Sequence, residues 1–138
     1  SSIISDGEAD ILLGFEPSET LRALNKCNKN TVVITNTTPL PPFTVGIGIG
    51  TYPDMEELQR LITEKTKRLI AFDASDLANQ AGNPMSLNIV LLGALIQVGY
   101  LPLSADNIKH AIRTTTKQAF VDTNIKAFEL GFAAAENA

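Results

Sequence analysis

The sequence predicts an α/β domain with a mainly parallel sheet, and three observations carry that prediction. Thr31-Val32-Val33-Ile34-Thr35 is β-branched throughout and bounded by Asn30 and Asn36, a composition that suits a buried strand. Short apolar runs alternate with stretches of helical period, the order in which strands and crossover helices build layered α/β folds. The segment from Ser86 to Val98 is apolar at nearly every position. It is nonetheless far shorter than the ~20 residues of a membrane span, so it belongs in a protein interior.

The elements follow in order. Ile11 to Phe15 is a short apolar run expected as a strand, closed by Glu16-Pro17, where proline suits a first helical turn. A helix is expected from about Ser18 to Leu24, and the second strand from Thr31 to Thr35. Pro39, Pro41 and Pro42 fix φ and remove donors, so the stretch from Asn36 to Pro42 reads as an extended connector, not an inner strand. Thr44 to Gly50 alternates Val45, Ile47 and Ile49 with Gly46, Gly48 and Gly50, giving one apolar and one bare face if extended. Pro53-Asp54 opens an amphipathic helix, with Met55, Leu58, Leu61 and Ile62 opposite Glu56, Glu57, Arg60 and Glu64.

Arg68 to Asp73 reads as the third strand, and Ala74 to Gln80 as a helix ended by Gly82, after which Asn83-Pro84 restarts the chain. The apolar helix from Ser86 to Val98 should be buried around most of its circumference. Gly93 and Ala94 admit a close neighbour there, and Gly99 provides a left-handed cap. Ser104 suits the N-cap of a helix through Ile108 and Ile112. The last helix is expected from near Phe120, with Val121, Ile125, Phe128 and Phe132 inward and Asp122, Lys126 and Glu129 outward. The three strands should run parallel with helices on both faces, within a single domain spanning 1–138.

Composition bounds the chemistry. The chain has 138 residues, 44% of them hydrophobic, enough for one core. Eleven basic against 15 acidic residues leave a net charge of -4 and no basic face for nucleic acid. Cys27 is the only thiol and His110 the only imidazole. An iron-sulfur cluster, a thiolate zinc site or an intrachain disulfide therefore cannot be completed by this chain alone. A Ser-His-Asp or Cys-His device would have to use His110, which reads as the exposed face of a helix. No membrane span, secretory signal or transit pattern is present, the usual reading of a cytoplasmic protein. The sequence begins Ser1-Ser2 without methionine, which raises the expectation of a missing upstream portion.

Open α/β sheets place ligands at the carboxyl ends of their strands. Gly14-Phe15-Glu16-Pro17 follows the first expected strand and Asn36-Thr37 the second. From the residues alone Glu16 reads first as a helix cap, and Asn36 and Thr37 as turn formers, ahead of a ligand role. Gly46-x-Gly48-x-Gly50 lacks the dinucleotide spacing and is separated from its helix by Thr51-Tyr52-Pro53, so it suits a close-packing strand or a partner contact, with a phosphate cradle as the lesser alternative. Lys109, Arg113 and Lys117 with Thr114-Thr115-Thr116 could bind phosphate, but spaced charges on a helix read first as a solvated face. Glu64, Asp73 and Asp76 form no acid/base pair. On residues alone, the chain either binds a ligand or docks on a partner.

Five segments in order form a more distinctive set: Gly7 to Pro17, Asn36-Thr37-Thr38-Pro39, Ala81-Gly82-Asn83-Pro84, Asn88 to Ala94, and Asn124 to Gly131. The set resembles the gamma-type domain of 2-oxoacid:ferredoxin oxidoreductases, and within that family the beta-subunit branch of the indolepyruvate enzymes. The resemblance implies a three-layer, Rossmann-like domain. It lacks the Gly-x-Gly-Gly-Gln-Gly and Gln-Arg-Gly-Gly segments usual in the family, so the first βα unit is expected to be missing. It further implies an accessory subunit in the oxidative decarboxylation of a 2-oxoacid, indolepyruvate or another aryl pyruvate, to an acyl-CoA. Thiamine diphosphate with Mg, and the iron-sulfur clusters that pass electrons to ferredoxin, would reside on a partner subunit. Glu16, Pro17, Asn36, Thr37, Asn83 and Asn88 would form the rim of an acyl or CoA cleft, with no proton-transfer or nucleophilic role. A stand-alone nucleotide- or CoA-binding module and a ligand-free docking subunit are the alternatives.

Overall fold

The structure is a computed structural model that describes residues 2–40, 52 and 54–138. The connector's Pro41-Pro42-Phe43 and the alternating segment from Thr44 to Gly50 lie outside the described residues. The chain forms two compact units, 1–72 and 73–138.

In the first unit, β1 (Ile11–Gly14), β2 (Val32–Asn36) and β3 (Arg68–Phe72) form a parallel sheet in the order β1-β2-β3, as the sequence predicts. One face carries the row Leu12, Val33, Leu69. Against it pack α1 (Pro17–Arg22), the 3-10 turn Ala23–Lys26 and α2 (Met55–Lys65), which close a core of Leu24, Val33, Leu58 and Ile62. On the other face Ile34 and Ile70 are also fully buried, and every residue of β2 is buried. This is the condition under which a parallel strand reads as a continuous apolar run instead of an alternating one.

The first strand stops at Gly14, one residue earlier than expected. A Cβ at that position would lie 1.8 Å from Thr20 Oγ1, and the chain turns there into Glu16, the extended N-cap of α1. Pro17 takes the first turn, where its missing N–H leaves no bond unmade. Asp54 caps α2 by accepting from the Glu56 N–H at 3.2 Å. The third strand also ends one residue early, because the Asp73 carboxylate accepts from the Asp76 N–H at 2.8 Å and so caps the next helix.

The second unit is helical: α3 (Ala74–Ala81), a 3-10 turn (Pro84–Ser86), α4 (Leu87–Val98), α5 (Ala105–Thr115) and α6 (Gln118–Glu136). Gly82 and Gly99 end α3 and α4 at φ values of 108° and 79°, the left-handed conformation expected of them. Ser104 caps α5, accepting from the Asn107 N–H at 3.1 Å. α4 buries Val90, Leu91, Gly93, Ala94 and Ile96 and exposes Asn88. It crosses α6 so closely that a Cβ on Gly93 would lie 2.1 Å from the Phe128 carbonyl oxygen, and one on Gly131 would lie 1.8 Å from that of Val90. Ile96, Ile112 and Phe128 form the core beside this crossing. Among the described residues no helix is long and apolar enough to cross a membrane.

Candidate functional site

The carboxyl ends of β1 and β2 carry the first four candidate residues. Glu16 is almost fully buried at 2% exposure, a costly place for a carboxylate unless its oxygens are bonded. They are bonded. Oε2 accepts from the Glu19 N–H at 2.9 Å, which caps α1, and the Ser18 hydroxyl lies 3.1 and 3.0 Å from the two oxygens. Oε1 also accepts from the Tyr52 hydroxyl. The Tyr52 oxygen in turn accepts from the Ser18 N–H at 3.2 Å, so Glu16, Ser18 and Tyr52 form a closed ring of bonds. Burial first, and then the Glu16 carboxylate, push the Tyr52 phenol above its usual range.

Asn36 is fully buried at the end of β2. Its amide donates to the carbonyls of Phe15, at 3.1 Å, and Thr38, at 3.0 Å, tying the exit of β1 to the exit of β2. Its oxygen accepts from the Thr38 N–H at 3.3 Å, so Asn36 is also the turn former that its residue type suggests. Behind this rim the Thr20 and Thr35 hydroxyls meet at 2.8 Å, in the space that only a glycine at position 14 leaves open. Thr37 is half-buried and its N–H donates to the Phe72 carbonyl at 3.0 Å. Pro17 is buried, Leu40 is half-buried and Phe15 is 42% exposed.

Asn83 and Asn88 belong to the second unit, where they line an open hollow of about 240 Å³ together with Ser86 and Asn124. Asn83 Oδ1 accepts from the Met85 N–H at 2.9 Å, and Asn88 Oδ1 from the Ile89 N–H at 3.0 Å. The structure thus gathers the six sequence candidates into two sets, Glu16, Pro17, Asn36 and Thr37 in one unit and Asn83 and Asn88 in the other.

Sequence reasoning missed Tyr52 and Ser18 as partners of Glu16. The Tyr52 bond spans 36 positions and carries no local signal. Lys109 departs from the solvated-face expectation: it is half-buried and reaches Glu129 of α6 at 2.9 Å. His110 is exposed, as expected. Cys27 is half-buried, and burial pushes its thiol up, which lowers its thiolate fraction and reactivity. Among the described residues no group of three His, Cys, Asp or Glu side chains could hold a metal ion. What the arrangement supplies is rigidly held turns and neutral polar groups.

Residues 1–134 match the model of the family described as pyruvate ferredoxin/flavodoxin oxidoreductase. The chain is 44% identical over 136 residues to the indolepyruvate oxidoreductase subunit IorB of Pyrococcus horikoshii, an alignment covering 98% of this chain and 67% of that protein. It is 38% identical over 134 residues to the protein of the same name from Methanothermobacter thermautotrophicus, covering 97% and 68%. Among solved structures it resembles the gamma subunit of a keto/oxoacid ferredoxin oxidoreductase from Geobacter sulfurreducens. That match has a TM-score of 0.68 and 25% identity, over 99% of this chain and 69% of the other. The chain spans about two thirds of the length of each of these relatives.

Proposed function

The chain belongs to the pyruvate ferredoxin/flavodoxin oxidoreductase family, and on that premise we propose that it is a gamma-type accessory subunit of a thiamine diphosphate-dependent 2-oxoacid:ferredoxin oxidoreductase acting on indolepyruvate or another aryl pyruvate. The observation that carries this reading is the 44% identity, across nearly the whole chain, to a protein named as a subunit of an indolepyruvate oxidoreductase. The two compact units are read as one gamma-type domain because the family match runs through both.

The donor set of this chain does not fit an iron-sulfur cluster, which needs several thiolates where the chain has Cys27 alone. The clusters, and thiamine diphosphate with its Mg, are therefore assigned to the partner subunit, from which electrons pass to ferredoxin. Thiamine diphosphate supplies carbanion stabilisation when bound there. The residues of this chain do something simpler. Glu16 and Asn36, buried and bonded, hold the turns that present Phe15 and Thr37, which leaves Thr37 as the polar group this unit offers to the wall of an acyl or CoA cleft of the complex; Asn83 and Asn88 keep polar groups accessible on the second unit. A cytoplasmic location accords with the single thiol.

The test is reconstitution. The isolated chain should be colourless and inactive, and its addition to the thiamine diphosphate-bearing partner should restore reduction of ferredoxin that depends on both 2-oxoacid and CoA. The Cys27→Ser chain should serve as well as the parent. A partner that is fully active without this chain, or an iron-sulfur absorption band that persists in the isolated Cys27→Ser chain, would overturn the reading.

A further inference from the structure

α1 has six residues, and capping it takes a single side-chain acceptor, a task for which Asp, Asn, Ser and Thr are favoured. Position 16 carries glutamate instead, longer than aspartate by a methylene. The added length lets both carboxylate oxygens work: Oε2 accepts from the Glu19 N–H at 2.9 Å and caps α1, while Oε1 accepts from the Tyr52 hydroxyl. Tyr52 stands just ahead of α2, 36 positions along the chain from Glu16, and its oxygen also accepts from the Ser18 N–H at 3.2 Å. Capping alone requires neither bond of Tyr52.

The same turn is gripped from its other side. At the end of β2 the Asn36 amide donates to the Phe15 carbonyl at 3.1 Å. The Phe15-Glu16-Pro17 turn is thus pinned between an anchor on β2 and an anchor ahead of α2, and it leaves the Phe15 side chain 42% exposed. The turn follows a strand of a parallel sheet, at whose carboxyl ends α/β folds place ligands. An exposed aromatic held this firmly adds little to the interior, whereas a wall fixed before the ligand arrives spares the ordering cost of binding. The groups that meet the Glu16 carboxylate are neutral, so its charge stays beneath the turn and disfavours a phosphate or carboxylate there. We propose that Tyr52 is a positioning residue: acting through Glu16, it fixes the Phe15-Glu16-Pro17 turn as a wall against an uncharged part of a substrate, the pantetheine arm of CoA or the aromatic side chain of the 2-oxoacid. The proposal rests on the subunit reading and adds to it the residue that sets this wall.

The experiment uses the reconstituted complex, with KM for CoA and for the 2-oxoacid measured separately and thermal melting of every variant. Tyr52→Phe should raise at least one of the two KM values about fivefold and leave kcat within about twofold, the pattern of lost positioning in the bound ground state. A rise for CoA identifies the pantetheine arm, and a rise for the 2-oxoacid its aromatic side chain. Glu16→Asp, long enough to cap α1 but too short to keep Tyr52, should raise the same KM by the same factor. The double variant should go no further, because both changes break one bond. Ala133→Gly, a comparable loss of stability at an exposed position of α6, should leave both KM values unchanged. Unchanged KM values in Tyr52→Phe, a change in kcat alone, or an equal rise in Ala133→Gly would overturn the proposal while leaving the subunit reading in place. Effects that multiply in the double variant would overturn it too, since Tyr52 would then act independently of Glu16. If melting shows that Glu16→Asp disturbs α1, the comparison of Tyr52→Phe with Ala133→Gly decides. A parent chain that restores no turnover would sink the subunit reading itself, and this proposal with it.

Discussion

Gly131→Ala should destabilise the protein even though alanine is the better helix former. Propensity alone favours alanine inside α6 by about 1 kcal/mol. Packing opposes it, since the added Cβ would lie 1.8 Å from the Val90 carbonyl oxygen, 2.6 Å from its carbon and 3.0 Å from its Cα, where ordinary contact begins at 3.4 Å. All three obstacles are backbone, so no rotamer change relieves the clash, and α4 and α6 must separate. Val90, Leu91, Ala94 and Phe128 are fully buried and lose packing as they do. An overpacking cost of about 3 kcal/mol outweighs the propensity gain and leaves a net loss of about 2 kcal/mol, a fall in Tm of about 8 °C for a chain of this size. Urea and thermal unfolding of the parent and variant measure it. Ala133→Gly, at an exposed position on the same helix, calibrates the propensity at about 1 kcal/mol. A Gly131→Ala chain as stable as the parent, or more stable, would refute the close crossing.

Gly14→Ala meets a different obstacle, the Thr20 hydroxyl at 1.8 Å and the Thr35 hydroxyl at 2.8 Å, both on side chains. Thr20 can turn its hydroxyl away at the cost of its bonds to Thr35 and to the Glu16 carbonyl, while its Cβ, which a Cβ at position 14 would meet at 2.9 Å, must still yield by a few tenths of an ångström. The loss should be about 1–2 kcal/mol, smaller than for Gly131→Ala, and a larger loss in the same urea assay would contradict this account. Tyr52→Phe reports on the buried carboxylate. The phenol of Tyr52 is raised above its ordinary value of 10.0, so its contribution is fully present below that pH and is lost as pH climbs through the folded-state value. The parent should exceed Tyr52→Phe by about 1 kcal/mol at neutral pH, and the gap should close in strong alkali. A gap that stays constant from pH 7 to 11 would mean that Tyr52 does not bond Glu16.

The strands and helices were legible because hydrophobic periodicity is repeated locally, so Val32 to Thr35 and Val121 to Phe132 announce themselves within one element. Boundaries slipped wherever one atom decided them. Asp73 reads as the end of an apolar strand until its carboxylate is seen to cap α3, and α6 begins at Gln118 behind Lys117, which makes no capping side-chain bond and so leaves no signal. Glu16 and Asn36 are legible from their positions after strands, whereas the Tyr52 bond and the meeting of Asn83 and Asn88 with Asn124 exist only in three dimensions. The last of these has a cause that can be read afterwards. Ser86 and Asn88 stand at the start of α4 and Asn124 on α6, and their hollow depends on how closely those two helices approach. Gly93 was recognised from sequence as a point of close packing, but a second glycine, Gly131, must face it before the backbones can meet. The Ser86–Asn124 bond, at 3.4 Å already near the limit for a hydrogen bond, shows how little separation the hollow tolerates. The glycine pair that lets α4 and α6 meet thereby also brings Ser86 and Asn88 at the start of α4 toward Asn124 on α6, so the packing of the two helices and the surface they share at this end follow from the same close approach.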